Sequence, residues 1–300
     1  MPLSIRDLVL FLAVARSGQI AEAAGDVGLT SSALSNSIRR LEAELGSRLF
    51  ERAAQGMRLT TFGAAFAERA RRLRADHDDL LRHAHDVRAG SAGVLRIGAS
   101  MDTLDALVAP VLARLLPLHP TMQARIVQAP ADALVERLGE GQIDVALVSD
   151  HAGAPTGLMQ KTVGRDFFVP VVRDRHPLAQ CSPMQMADLA GYAWILPADR
   201  ATVVDPLRSV FAEAGQAFPR VAVEVDGDTG AALPIVLHTD LIAYVPRGII
   251  KPPFRECVRV LPLEQLHTVH PLSALLRDGA CNPPLLDEFL GILADMRVEP

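Results

Sequence analysis

Leu29-Thr30-Ser31-Ser32-Ala33-Leu34-Ser35-Asn36-Ser37-Ile38-Arg39-Arg40-Leu41-Glu42-Ala43-Glu44-Leu45-Gly46 is the stretch on which the reading of this chain turns. Leu34, Ile38, Leu41 and Leu45 recur at helical spacing and give the inner face of a helix over 31–45. Hydroxyls at Thr30, Ser31, Ser32 and Ser35 and the amide of Asn36 fall at its leading end, with the guanidinium of Arg39 behind them. Such a helix suits a major groove, where short polar side chains reach base edges and cations hold flanking phosphates.

The flanks agree. Leu8, Phe11, Leu12 and Ala15 form an earlier helical pattern that Ser17-Gly18 ends, and Ile20 to Val27 reads as a second short helix before the tight turn at Gly28-Leu29. Ala23 and Ala24 allow the second and third helices to pack closely. Gly46 is placed to cap the third helix, and Leu49-Phe50 returns an apolar pair to the core. Arg52-Ala53-Ala54-Gln55-Gly56-Met57-Arg58-Leu59 then predicts two short strands around Gly56, a wing with Arg52 and Arg58 flanking its tip beside backbone phosphates. Double-stranded DNA is the first partner this arrangement implies.

The net charge of −5 argues against a nucleic-acid binder only until it is divided: residues 1–90 hold 13 Arg against 11 acidic residues, a surplus of +2 that leaves −7 for residues 91–300. Affinity must then come from local placement of arginine and from doubling the site in a dimer. No apolar run approaches the ~20 residues of a membrane span, and Met1-Pro2-Leu3-Ser4 lacks a basic, apolar leader, so a cytoplasmic protein is expected. Cys181, Cys257 and Cys281 have no CxxC or Cys/His spacing; plain thiols are expected, with no disulfide framework, zinc site or other cofactor.

From Gly63 to about Arg88 the pattern becomes a long helix. Phe66, Ala70, Leu73, His77, Leu80, Ala84 and Val87 step alternately by four and three, the period of a coiled-coil seam. It reads as a dimerising stalk, the alternative being a single amphipathic helix on its own domain; His77 is either a pH-sensitive register device or a partly exposed polar seam residue. After Ala89-Gly90-Ser91-Ala92-Gly93, strands and helices alternate: strands at Val94 to Gly98, Ala124 to Gln128 and Ile143 to Ser149, helices at Leu104 to Leu116 and Ala131 to Leu138. A similar series follows, with strands at Phe167 to Val172, Ala193 to Leu196, Arg220 to Val225 and Leu241 to Tyr244, and helices at Pro183 to Leu189, Val204 to Ala214 and Gly230 to Leu237. Val258 to Leu261 and Ser273 to Leu276 read as extended and Leu285 to Met296 as a terminal helix. Two α/β lobes with a cleft between them are implied, and such clefts commonly close on a small ligand.

Phe11 and Val14, Ala23-Ala24, Leu29-Thr30, Ala33-Leu34-Ser35, Ile38, Leu41-Glu42, Leu45-Gly46, Leu49-Phe50-Glu51-Arg52, Leu59-Thr60 and Gly63 resemble, in order, the N-terminal signature of LysR-type transcriptional regulators. Leu95 to Gly98, Ile143 to Leu147, His176 to Ala179, Asp188 to Ala190 and Asp240 to Ala243 with Val245-Pro246 extend the resemblance over the rest. It implies an N-terminal winged helix-turn-helix (α with a small β wing, residues 1–62), a linker and dimerisation helix (63–90), and an α/β two-lobed effector domain (91–300) resembling type 2 periplasmic binding proteins. Lobe I would be 91–164 with 267–300 and lobe II 165–266, crossing near Gly164 and His267. A homotetramer built of dimers is implied, DNA affinity or bending would answer to an effector, and RNA polymerase is admitted as a partner. The chain departs from the family where bases are read: Ser31, Asn36 and Ser37 stand where Gln, Arg or His, and Gln are common, and Gly18-Gln19 replaces Gly-Ser, so that Gln19 offers the phosphate a longer amide. Asn36 can still pair with adenine, and Arg39 serves phosphate or guanine.

Ala99-Ser100-Met101-Asp102-Thr103 lies where a strand ends and a helix begins; free amides and two hydroxyls there favour an anion, although Ser100 or Asp102 could simply cap the helix. The resemblance places part of the effector site at Ser100 and Thr103. Ser149-Asp150 ends another strand of the first lobe, while Ala201-Thr202 and Asp228-Thr229 occupy comparable loop ends in the second, so Ser100, Met101, Thr103, Ser149, Thr202 and Thr229 are the expected effector contacts. Asp102, Asp150 and Asp228 would repel a polyanion unless Arg200 offsets them, which points to a neutral or monocarboxylate effector. An enzyme or an exported solute-binding protein could use the same cleft, but no GxSxG, HExxH, Walker or GxGxxG motif is present and neither would need the N-terminal reader. A DNA binder whose cleft has lost its ligand is the remaining alternative.

Overall fold

The computed structural model describes residues 3–53, 56–89, 93–149, 157–198, 200–227, 229–280 and 282–296, without the side chains of 83, 85–89 and 200. The chain divides into two compact units, Met1–Gly90 with Gly139–Gln142, and Ser91–Leu138 with Ile143–Pro300.

In the first unit α1 (Ile5–Ser17) begins at a capping box: Ser4 Oγ accepts from the Asp7 backbone N–H while the Asp7 carboxylate accepts from the Ser4 N–H. Gly18, at φ 67°, ends it in the left-handed conformation. The second helix, α2 (Ile20–Asp26), leads through Gly28 to α3 (Ser31–Leu45), whose N-cap Thr30 accepts from the Ala33 N–H at 3.2 Å and which Gly46 closes at φ 66°. Strands β1 (Phe50–Ala53) and β2 (Gly56–Leu59) pair antiparallel as the expected wing, and α4 spans Thr61–Ala89. Leu8, Phe11, Val14, Ala23, Ala24, Leu34, Ile38, Leu41, Leu49, Phe50, Ala67 and Ala70 form one core, with Phe11 packed against both Phe50 and Phe66.

Polar contacts fix how these elements meet. Glu42 on α3 accepts from the backbone N–H groups of Leu49 and Phe50 at 2.8 and 3.1 Å, tying the helix to the first wing strand. The Gly18 carbonyl accepts from the Met57 N–H at 2.7 Å, and a Cβ on Gly56 would stand 2.4 Å from that carbonyl oxygen. At Gly63 a Cβ would stand 2.0 Å from the Leu49 oxygen. Both positions therefore require glycine for close backbone approach. Along α4, Ala70 is buried, His77 half-buried beside Asp78, and Leu73, Leu80 and Leu81 are 50, 66 and 58% exposed. The Val87 side chain lies outside the described residues.

The second unit runs β3 (Val94–Ala99), α5 (Met101–Thr103), a π-helical turn Leu104–Val108, α6 (Ala109–Leu115), β4 (Gln123–Gln128), α7 (Ala131–Gly139), β5 (Val145–Ser149) and β6 (Leu158–Arg173). It continues through β7 (Trp194–Pro197), α8 (Asp205–Glu213), β8 (Val221–Val225), α9 (Ala232–Leu237), β9 (Ile242–Pro246), β10 (Val258–Val260), β11 (Thr268–Arg277) and α10 (Pro284–Asp295). The described strands form one mixed sheet in the order β4-β3-β5-β11-β6-β9-β7-β8, with β10 on β6. Alternation buries both faces. In lobe I, Val145 and Leu147 join Leu95, Leu107, Leu115 and Phe289, while Ala146 and Val148 join Leu134 and Leu138. In lobe II, Trp194 and Tyr244 pack with Leu207 and Phe211, while Ile195 and Val245 pack with Leu233 and Val236.

Several expectations need correction. The strand expected to start at Phe167 begins at Leu158, and that expected over Ser273 to Leu276 spans Thr268–Arg277. These two strands pair antiparallel along their length, with a bulge that leaves Val163 without a Cα partner between Leu272↔Gly164 and Ser273↔Thr162. The crossovers expected near Gly164 and His267 thus lie in or beside this ladder. The helix expected over Pro183 to Leu189 is a 3-10 turn, Met186–Leu189, because the Asp188 and Ala190 N–H groups bond three residues back, to the Gln185 and Ala187 carbonyls, and the Asp188 carboxylate closes the turn on the Gln185 N–H. The helix expected from Leu104 starts at Met101, and that expected from Gly230 is a 3-10 turn, Thr229–Ala231, running into α9.

Asp7 is also paired with Arg40 of α3, Oδ1 to a guanidinium nitrogen at 2.5 Å. Burial alone would raise its carboxyl, but hydrogen bonds from Ser4 and Arg40 outweigh it and hold the group below its ordinary value. A depressed carboxylate stabilises the fold above its unfolded value and loses that contribution as pH falls through the folded one. In urea melts Asp7→Asn should therefore cost about 1–2 kcal/mol at neutral pH, and the gap from the wild type should narrow as the solution is acidified.

Candidate functional site

The outer face of α3 collects the expected DNA-facing residues. Ser31, Ser32, Asn36 and Arg39 are exposed and Ser35 half-buried, opposite the buried row Leu34, Ile38 and Leu41. Thr30 is exposed with its oxygen engaged in capping and within 3.1 Å of Ser32 Oγ, so its acceptor is already committed. Arg39 donates to Ser35 Oγ at 3.2 Å along the helix surface, whereas its neighbour Arg40 is drawn back to Asp7. Gln19, exposed at the start of α2, makes no side-chain cap and leaves its amide to solvent.

The wing separates its two arginines. Register pairs Glu51 with Arg58 and Arg52 with Met57, and cross-strand partners share a face, so Arg52 and Arg58 project from opposite faces. Arg58 donates two hydrogen bonds to Glu51 Oε1, at 2.9 and 2.7 Å. This pair is exposed and worth little to stability, yet it offsets the charge Arg58 could offer a phosphate. Ala54 and Gln55, at the tip, lie outside the described residues.

In the second unit a cavity of about 470 Å³ opens where the carboxyl ends of parallel strands from both lobes converge. Ser100 and Met101 follow β3, Gln128 ends β4, Ser149 ends β5, Pro197 ends β7, Asp226 and Thr229 follow β8, and Pro246 ends β9. Phe168 of β6 and His270 of β11 line it from the crossover strands. Of the expected contacts, Ser100, Met101, Ser149 and Thr229 line this cavity. Thr103 is fully buried and donates its hydroxyl hydrogen bond to the Leu147 carbonyl at 2.7 Å; Thr202 is not among the lining residues. Asp150, Asp228 and the Arg200 side chain lie outside the described set.

The sequence reading missed Gln128, Asp226, Phe168, Pro246 and His270 as lining residues. The rule that ligands gather at the carboxyl ends of parallel strands could have found Gln128, Asp226 and Pro246. His270 and Phe168 carried no such signal, because the crossover strands were only partly recognised. His270 is 4% exposed with its ring on edge against Phe168, and Nε2 stands 3.7 Å from Asp102 Oδ2. Burial alone would raise Asp102, but the polar side chains of His270, Ser100 and Ser149 around it hold the carboxyl below its ordinary value. Asp166, opposite His270 in register, is pushed up by burial and by Asp102, despite accepting from the Phe167 and Gly248 N–H groups at 2.7 and 3.0 Å.

Among the described residues no cluster of His, Cys, Asp and Glu is arranged to hold a metal, and no helix is long and apolar enough to cross a membrane. A winged helix-turn-helix unit and a two-lobed α/β unit with a cleft define a regulator that joins a DNA reader to a ligand-binding domain. Residues 5–64 match the family model for the bacterial regulatory helix-turn-helix protein of the lysR family, and residues 88–297 that for the LysR substrate binding domain. The chain belongs to the LysR family of transcriptional regulators. It is 27% identical over 287 residues to the HTH-type transcriptional regulator GbpR of Azospirillum brasilense, covering 94% of this chain and 83% of that protein. It is 34% identical over 203 residues to the small neutral protease regulatory protein of Streptomyces coelicolor, covering 65% of this chain and 60% of that one. The crystal structure of CbnR, a LysR family transcriptional regulator, is similar at a TM-score of 0.63 and 25% identity, covering 98% of this chain and 99% of that one.

The placement of Thr103 separates a structural hydroxyl from those that face the cavity. Thr103→Val, which keeps the shape and deletes the donor to Leu147, should lower the stability of the second unit by about 1–2 kcal/mol in a denaturant melt, whereas Ser100→Ala should cost less.

Proposed function

We propose that this regulator reads a duplex operator with α3 in the major groove and the wing against the flanking backbone, as a homodimer joined through α4 and assembled further into a tetramer. The observation that carries this is the division of α3: one row is buried in the core, and the other presents hydroxyl, amide and guanidinium groups outward, with only the local contacts of Ser32 with Thr30 and of Arg39 with Ser35. Ser31, Ser32, Ser35, Asn36 and Arg39 serve as base and phosphate contacts, Thr30 and Gln19 as backbone contacts at two helix starts, and Arg52 with Arg58 as wing anchors. Asn36 is the residue able to make a bidentate contact with adenine.

The exposed seam of α4 supports dimerisation. Leu73 and Leu80 fall on the heptad positions read from the sequence and stand half or more exposed in a single chain, an arrangement a second copy of the helix would cover. Pairing also doubles a DNA site whose charge surplus is small. The cleft is the effector site rather than a catalytic one: a small molecule bound there favours one arrangement of the lobes and, through the oligomer, alters spacing and bending of the DNA. The protein acts in the cytoplasm, with RNA polymerase a partner at its promoters.

Arg52→Ala should weaken binding to specific and random duplexes alike and reduce the salt slope by about one. Arg58→Ala should change it less, because Glu51 already offsets that charge. In contrast, Asn36→Ala should alter base preference, and equal losses on operator and random DNA would count against its role. Leu73→Asp combined with Leu80→Asp should shift the protein toward monomer in sedimentation and abolish tight operator binding; a dimer that survives both changes would place the interface elsewhere.

A further inference from the structure

The charge of the cleft selects among effectors. Among its described lining residues the ionisable ones are Asp102, Asp226 and His270, and neither lysine nor arginine is present. Asp102 comes from lobe I and is 9% exposed; its Oδ2 accepts no hydrogen bond from the described residues, with His270 Nε2 beyond hydrogen-bond reach at 3.7 Å. The side chains of His270, Ser100 and Ser149 favour its charge, and Oδ2 keeps an acceptor that a ligand N–H can fill. Asp226 lines the cavity from lobe II and is exposed, while Ser100 and Ser149 add hydroxyls near Asp102. Met101, Phe168 and Val203 supply apolar wall.

We propose that the effector is a small molecule with a protonated amine directed at Asp102, its attraction strengthened by Asp226, and a carbon skeleton lying on the apolar wall. This rests on the reading of the cleft as the effector site, and it replaces the neutral or monocarboxylate ligand expected from the sequence. That expectation relied on hydroxyls and free amides at the helix start to attract an anion, and on Asp102, Asp150 and Asp228 to repel a multiply charged one. In the structure the Thr103 hydroxyl is committed to Leu147, and a buried carboxylate occupies the same helix start. Among the described lining residues an anionic ligand would face two carboxylates against one imidazole. For an ammonium ligand the two carboxylates attract, and the burial of Asp102 spares that attraction the screening that weakens surface pairs. Held below its ordinary value, the Asp102 carboxyl is ionised at neutral pH.

The test uses the full-length protein and two matched probe sets, hexylammonium, hexanol and hexanoate, and phenethylammonium, phenethyl alcohol and phenylacetate, followed by calorimetry and thermal shift. The ammonium member should bind at least about tenfold more tightly than the carboxylate, or about 1.4 kcal/mol. Asp102→Asn should erase this preference. Asp226→Asn, at an exposed position where folding is not at stake, should reduce it in part. Carboxylates that bind as tightly as ammonium probes, ammonium probes that do not bind, or a preference that survives Asp102→Asn would each overturn the proposal. Ala198→Trp, which fills the cavity from an exposed position, keeps the two readings apart. Carboxylate binding that Ala198→Trp abolishes would overturn the amine and keep the cleft as the site, while ammonium binding unaffected by it would overturn both.

Discussion

The antiparallel ladder between β6 and β11 is the constraint from which the second unit takes its shape. It runs from Leu158 opposite Arg277 to Phe168 opposite Thr268, with β5 on one side and β9 on the other, so both lobes hang from a single hydrogen-bonded ribbon. Its backbone bonds pair main-chain groups where the chain passes between lobes. The ribbon also carries Phe168 and His270 to the cavity and sets Asp166 opposite His270 in register. The cleft is therefore held by main-chain geometry as much as by the packing of either lobe.

The first unit reaches similar definition through fewer residues. Glu42 joins α3 to the wing's first strand, Arg40 joins it to the start of α1, and the Gly18 carbonyl seats the second strand. The exposed row of α3 and the wing thus hold a fixed relation before any duplex is met, which lowers the ordering cost of binding. Two of those ties depend on charged side chains that look, in sequence, like ordinary solvent-facing residues.

That difference explains what could be read in advance. The three helices and wing were legible because their signals are local: apolar spacing at Leu34, Ile38 and Leu41, end signals at Gly18 and Gly46, and a hairpin about Gly56. The alternation of strands and helices after Gly93 implied two α/β lobes, and the family resemblance supplied their limits. Residues 158–166 were not legible as strand, since Gln160-Lys161-Thr162 and Gly164-Arg165-Asp166 show neither alternation nor an apolar run, and pairing with β11 makes them extended. In the cleft, Ser100, Met101, Ser149 and Thr229 stood at recognisable strand ends. The approach of Asp102 to His270 joins residues far apart in the chain, and no local pattern announces it. Thr103 illustrates the converse: its position was foreseen, and its hydroxyl was claimed by a carbonyl from a neighbouring strand.

The bulge at Val163 has a consequence for parity. On the lobe I side of it, odd-numbered β6 residues pair with even-numbered residues of β11, Lys161 with Ala274 and Met159 with Leu276; beyond it, even meets even, Asp166 with His270 and Phe168 with Thr268. One supernumerary residue thus decides which side chains of the ribbon look toward the cavity. A single insertion or deletion between Leu158 and Phe168 would exchange inward for outward side chains across one lobe or break the ladder, so chain length there is bound as tightly as residue identity.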